Sequence, residues 1–179
     1  MKTLIIYYSF TSNNELLARD IQEKLDCDMA RIEEEKKRTG FTIFMDIFFK
    51  RKPRIKQLHV FLNDYDNFIF IAPIWAGKIA SPLRSFLVLE KDNISRYSFI
   101  TICGGVPGQK EKITGELTKL VRKSPQNVTE LWINDLLPKE KKDTVKYTTA
   151  YRIKQADLDA FNHEVYEFLK ESEALEYHQ

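Results

Sequence analysis

Three short runs in this 179-residue chain carry residue types that can hold a ligand. The first, Ser9-Phe10-Thr11-Ser12-Asn13-Asn14, follows the apolar run Leu4-Ile5-Ile6-Tyr7-Tyr8 and precedes the helical pattern Glu15-Leu16-Leu17. A buried strand feeding a polar turn that opens a helix gathers hydroxyls and backbone N–H groups at one point, with the positive end of the helix dipole behind them. That is the chemistry of a phosphate cradle. The run has neither lysine nor glycine, so it matches neither a nucleoside-triphosphate loop nor a dinucleotide fingerprint. Neutral donors, the hydroxyls of Ser9, Thr11 and Ser12 and the amides of Asn13 and Asn14, would have to hold a monophosphate. The bland alternative is a polar turn that only caps the helix.

The second run, Pro73-Ile74-Trp75-Ala76-Gly77-Lys78, also leaves an apolar strand and presents a tryptophan. Indole offers a large, rigid, apolar face on which a flat ligand can stack, and Gly77 beside it permits backbone conformations that other residues resist. Otherwise the ring plugs the top of the core. The third run, Cys103-Gly104-Gly105-Val106-Pro107-Gly108, holds three of the chain's six glycines. Glycine concentrated at a strand end suits close approach of a ligand to backbone, or simply a tight turn.

Five strand-like runs must position these loops: Thr3 to Tyr8, Asp28 to Ile32, Phe68 to Pro73, Ser98 to Cys103 and Thr129 to Ile133. Several are almost continuously apolar, as in strands covered on both faces. Helical spacing lies between them at Leu17, Ile21 and Leu25; at Leu83, Phe86 and Leu87; and at Ile113, Leu117, Leu120 and Val121. It recurs near the C-terminus at Leu158, Phe161, Val165 and Phe168. Ser81 before Pro82 reads as a helix N-cap, and Asn13 or Asn14 as the cap of the first helix. This alternation predicts one α/β domain over residues 1–179, a three-layer doubly wound parallel sheet with ligands beyond the carboxyl ends of its strands.

In these loops the chain resembles the flavodoxin-like family. Ser9 to Asn14 is similar to that family's Thr/Ser-x-Thr-Gly-Asn-Thr phosphate loop, with serine at the glycine position and asparagine at the last threonine. Pro73 to Leu87, with Pro-Ile-Trp-x-Gly and then Ser-Pro-Leu-Arg-Ser-Phe-Leu, is similar to the second flavin loop. The resemblance implies a five-stranded sheet of order 2-1-3-4-5 and flavin mononucleotide (FMN) as cofactor. By that likeness Ser9, Phe10, Thr11, Ser12, Asn13 and Asn14 hold the phosphate. Pro73, Ile74, Trp75, Ala76, Gly77 and Lys78 flank the isoalloxazine, and Cys103, Gly104, Gly105 and Gly108 lie at its pyrimidine edge. The Ala76-Gly77 peptide is then the one expected to reorient with flavin oxidation state.

The remaining features exclude more than they assign. Lys plus Arg number 28 against 26 Asp plus Glu, a net charge of +2 that gives no reason to invoke nucleic acid. No apolar run approaches the roughly 20 residues of a membrane span, and the two cysteines, Cys27 and Cys103, without a leader pattern, suggest a reduced cytoplasmic protein. His59, His163 and His178 have no metal spacing, so no metal is expected. The aromatic stretch Phe41 to Phe49, followed by Lys50-Arg51-Lys52-Pro53-Arg54, reads as a helix packed on the sheet with a solvated basic end. No nucleophile sits beside a base, so redox chemistry would belong to the flavin. The chain would then be an electron carrier or an FMN-dependent NAD(P)H oxidoreductase acting on a quinone or a partner protein. The alternative of another class is a non-redox phosphate-ligand or interaction module.

Overall fold

In the computed structural model, which describes residues 1–36, 39–49 and 52–174, the elements run in this order. Thr3–Tyr7 (β1), Asn13–Leu25 (α1), Asp28–Arg31 (β2) and Gly40–Phe49 (α2) come first. Asn67–Ile71 (β3), Ile74–Trp75 (β4), Lys78–Ile79 (β5), Ser81–Glu90 (α3), Arg96–Cys103 (β6) and Gln109–Val121 (α4) form the middle. Val128–Trp132 (β7), Ile133–Leu136 (α5), Val145–Ala150 (α6), Gln155–Asp159 (α7) and Asn162–Glu171 (α8) complete the described chain.

Five strands pair in parallel in the order β2-β1-β3-β6-β7, so counting only sheet strands the order is the expected 2-1-3-4-5. Side-chain alternation along each strand splits the apolar residues between two faces. Leu4, Ile6, Phe68, Phe70, Tyr97 and Phe99 pack against Leu83, Phe86 and Leu87 of α3 and Ile113, Leu117 and Val121 of α4. Ile5, Tyr7, Ile69, Ile71, Ile100 and Ile102 pack on the other face against Leu17 and Ile21 of α1 and Val165 and Phe168 of α8. The rings of Phe68 and Phe70 stack at 6.2 Å, and Phe70 also meets Phe86 at 6.1 Å and Tyr97 at 5.7 Å. Three layers follow from the two buried faces.

Three local expectations are corrected. The second loop is not irregular: β4 and β5 form a small antiparallel hairpin, with Ile74 opposite Ile79 and Trp75 opposite Lys78. Ile55, Leu58, Val60, Leu62 and Tyr65 pack on the sheet face after β2. α2 is tied to the start of α3, where Ser81 Oγ donates to Asp46 Oδ2 at 3.1 Å. Ser81 is thereby the first residue of α3, its N-cap being Ala80. Lys50 and Arg51 of the basic cluster, and His178, lie outside the described residues. The C-terminal periodicity belongs to two helices, α7 and α8, divided near Phe161. Among the described residues no helix is long and apolar enough to cross a membrane.

Candidate functional site

β1, β3 and β6 all end at one edge of the sheet, and the three runs singled out above are the turns that leave it. The first turn is welded to its neighbours by backbone: Tyr8 N–H donates to Ile71 O at 2.9 Å, and Ile32 N–H to Tyr7 O at 2.8 Å. Ser12 is the N-cap of α1 and stands at φ 68°, in the left-handed region, with no side-chain cap bond. Its carbonyl accepts the first intrahelical bond, from Leu16 N–H at 3.0 Å. The N–H groups of Asn13, Asn14 and Glu15 before it therefore have no acceptor within the helix and face the turn. Ser9 Oγ is buried and has no hydrogen-bond partner. Thr11 is half-buried.

Ser12, not Asn13 or Asn14, is the N-cap of α1, and both asparagine carboxamides are bonded to backbone. Asn14 Nδ2 donates to Ile102 O at 3.1 Å while its Oδ1 accepts from Ile102 N–H at 2.9 Å. β6 outruns β3, whose last paired residue is Ile71 opposite Ile100, so Ile102 has lost its strand partner on that side. The Asn14 carboxamide takes the place of the missing strand. Asn13 acts likewise on the chain before α7, donating to Tyr151 O at 3.1 Å and accepting from Ile153 N–H at 3.2 Å. Both side chains are buried. Sequence reasoning missed this role because it depends on which strand is longer.

The second turn brings Trp75 to the first. Its ring meets Tyr8 edge-on at 5.8 Å and Phe10 edge-on at 6.4 Å. Ala76 and Gly77, at φ 48° and 72°, are the two central residues of the hairpin turn, which matches the type I′ pattern with positive φ at both positions. The hairpin is pinned from below: Ile79 N–H donates to Glu116 Oε2 at 3.0 Å, and Arg84 holds the other oxygen of that carboxylate at 2.8 Å. Pro73, Ile74 and Lys78 are half-buried.

The third turn is shaped by the protein's own side chains. A Cβ on Gly105, at φ 88°, would fall 2.7 Å from the Trp132 ring, and one on Gly104 would fall 3.3 Å from Thr148 Oγ1. Gly108 is the left-handed N-cap of α4. Glu130 braces this turn, accepting from Gln109 Nε2 at 2.7 Å and from Trp132 Nε1 at 3.3 Å. Cys103 is buried beside Gln109, and burial, reinforced by the Glu130 charge, pushes its thiol up to about 12. Burial also pushes Cys27 up to about 11.

Charge near the first turn is balanced. Glu15 in the first turn of α1 pairs with Arg19 at 2.9 Å and with Arg31 at 3.6 Å, which removes most of the repulsion it would exert on an anion. Among the described residues no group of three or more His, Cys, Asp or Glu is placed to hold a metal ion. The arrangement can therefore hold an anion by neutral donors and a flat ring by indole.

No protein-family model matches this sequence, and no curated protein matches it. Solved structures match its fold. A flavoprotein from Lactobacillus acidophilus in complex with FMN is 19% identical, covers 72% of this chain and 92% of its own, and superposes with a TM-score of 0.63. The apo form of the L. acidophilus flavoprotein, at 20% identity, covers 72% and 91% with a TM-score of 0.59. A flavodoxin, WrbA-like protein from Agrobacterium tumefaciens, at 14% identity, covers 96% of this chain and 97% of its own with a TM-score of 0.54. At these identities the likeness is one of fold, and the fold is flavodoxin-like.

Three outcomes follow from this geometry. Asn14→Ala leaves two buried backbone groups of Ile102 unpaired, each costing about 1–3 kcal/mol, so urea unfolding should show a loss of about 2–6 kcal/mol. Ser12→Gly removes a side chain from a left-handed position and should leave the melting temperature unchanged or raise it by the equivalent of up to about 1 kcal/mol, whereas Ser12→Val should lower it. With its pKa raised, the Cys103 thiol keeps its proton in the folded state. The stability this contributes is complete below about pH 9 and is lost as pH rises towards 12. At pH 8 a disulfide reagent should therefore titrate the thiols only after denaturant is added; rapid labelling of the native protein at Cys103 contradicts the placement.

Proposed function

We propose that this chain binds FMN at the edge formed by its first two turns and transfers electrons through it. The observation that carries this reading is a buried, unpartnered Ser9 hydroxyl in the turn that opens α1, with Trp75 held against the same turn by Tyr8 and Phe10. The pairing of an anion cradle with an indole suits a ligand that joins a phosphate to a flat heterocycle. The comparisons support it to the extent that a protein of this fold, the L. acidophilus flavoprotein, is described in complex with FMN.

In this reading Ser9, Thr11 and Ser12 hydroxyls and the first-turn N–H groups of α1 hold the phosphate. The carboxamides of Asn13 and Asn14 contribute by fixing the helix in place. Trp75 excludes water from one side of the ring, and the Ala76-Gly77 turn offers its peptide groups at the ring's edge. The backbone of Gly104 and Gly105, under Trp132 and Thr148, bounds the other side. The bound flavin supplies hydride or single-electron chemistry that no side chain here provides. Cys103 stays protonated and takes no part.

A reductase acting on a flat acceptor such as a quinone is the second reading, favoured by Phe10, which stands exposed at the Trp75 edge and extends its apolar surface outward. Titrating the purified protein into FMN should quench flavin fluorescence to a one-to-one end point. Trp75→Ala should weaken binding by about tenfold or more, the worth of one ring stack of roughly 1–3 kcal/mol, and Ser9→Ala should weaken it through the phosphate. An unquenched flavin leaves the non-redox module standing instead. With flavin bound, oxidation of NAD(P)H in the presence of a quinone separates reductase from carrier.

A further inference from the structure

Residues 138–154 form a strap along the same edge of the sheet. Asn134 Nδ2 ties its start to Asp143 Oδ1 at 3.0 Å and to Gly105 O at 3.4 Å, Thr148 of α6 lies against Gly104, and Asn13 holds Tyr151 and Ile153. The strap thus runs from the third turn to the first. It carries six cationic side chains, Lys139, Lys141, Lys142, Lys146, Arg152 and Lys154, against Glu140 and Asp143. Its net charge of +4 exceeds the +2 of the whole chain, so at this edge the strap is a locally positive surface. Within it Val145 is 75% exposed, and Val106 of the third turn is 56% exposed. Tyr147 lies beneath Lys141 at 5.8 Å and Lys146 at 6.0 Å.

We infer that this strap, with Val106, is the docking surface for a small acidic electron-carrier protein. Exposed apolar groups among charges of predominantly one sign have the anatomy of a transient protein interface, in which the charge steers encounter while the apolar groups fix the pose. All six cations are exposed, so none forms part of a buried pocket for a small anion. α6 has six residues, too short to lie in a membrane surface as an amphipathic helix. In the docked pair one electron leaves the partner's reduced centre, which is oxidised, and enters the bound flavin, which is reduced, with any accompanying proton drawn from solvent. What the partner does there rests on the flavin reading; that it docks does not.

The test uses a plant-type iron–sulfur ferredoxin as the small acidic probe and cytochrome c as the small basic one, with calorimetry on both FMN-loaded and FMN-free protein. The ferredoxin should bind both forms at an ionic strength of roughly 0.02 M and weaken about tenfold or more at roughly 0.3 M. K141E/K142E/K146E should weaken it at least about tenfold, Val145→Asp should weaken it with the charge of the lysines intact, and cytochrome c should bind only the triple variant. Circular dichroism should show every variant folded, since all four positions are exposed. Ferredoxin binding that is absent, equal in the triple variant or replaced by binding to duplex DNA or anionic vesicles overturns the inference. Failure of FMN to bind, with ferredoxin still docking, overturns only the flavin reading.

Discussion

The Asn14 carboxamide is the contact on which the candidate site depends. A parallel sheet whose central strands differ in length leaves backbone groups exposed where the longer one runs on, and burial of those groups without partners costs more than most single side-chain contacts return. β6 runs on past β3, and its Ile102 N–H and C=O both close on Asn14. One side chain thereby sets the distance and rotation of the α1 N-terminus relative to the third turn. Since α1 also carries the open N–H groups of the first turn, this pair of hydrogen bonds links the first turn to the strand that leads into the third. The third member, Trp75, is placed through aromatic edges on Tyr8 and Phe10.

This division of labour explains the composition of the first turn. With both carboxamides held by backbone, the proposed anion cradle rests chiefly on hydroxyls and backbone N–H groups. Neutral donors suffice for a phosphomonoester when a helix dipole stands behind them. Glu15 would spoil that field, and its pairing with Arg19 and Arg31 is what keeps the helix end attractive to an anion.

The sheet was legible because central parallel strands are apolar on both faces, so Leu4 to Tyr7, Phe68 to Ile71 and Phe99 to Ile102 stand out without any partner being known. The turns were legible as polar or glycine-rich breaks after them. Their internal structure was not. Ala76 takes a left-handed conformation that its type disfavours, so nothing local announces the hairpin. Nor was the cover that Ile55, Leu58, Val60 and Leu62 give one sheet face legible, because an irregular segment with apolar residues at uneven intervals has no period to announce it. The asparagines reveal their purpose only when β6 is seen to outrun β3. Ser12 was the opposite case: its place at the glycine position of the resembled pattern corresponds to a left-handed φ.

The third turn shows why glycine by itself is a poor guide to a ligand. Gly105 is required by Trp132, whose ring occupies the space a Cβ would need, and Trp132 is in turn oriented by Glu130, which also holds Gln109 at the start of α4. The turn is therefore rigid before any ligand arrives, and a rigid wall costs little entropy when a flat ring is placed against it. Close packing by the protein's own tryptophan and close approach by a heterocycle make the same demand on backbone shape. The glycines answer the first demand directly, and the wall they create is what makes the second possible.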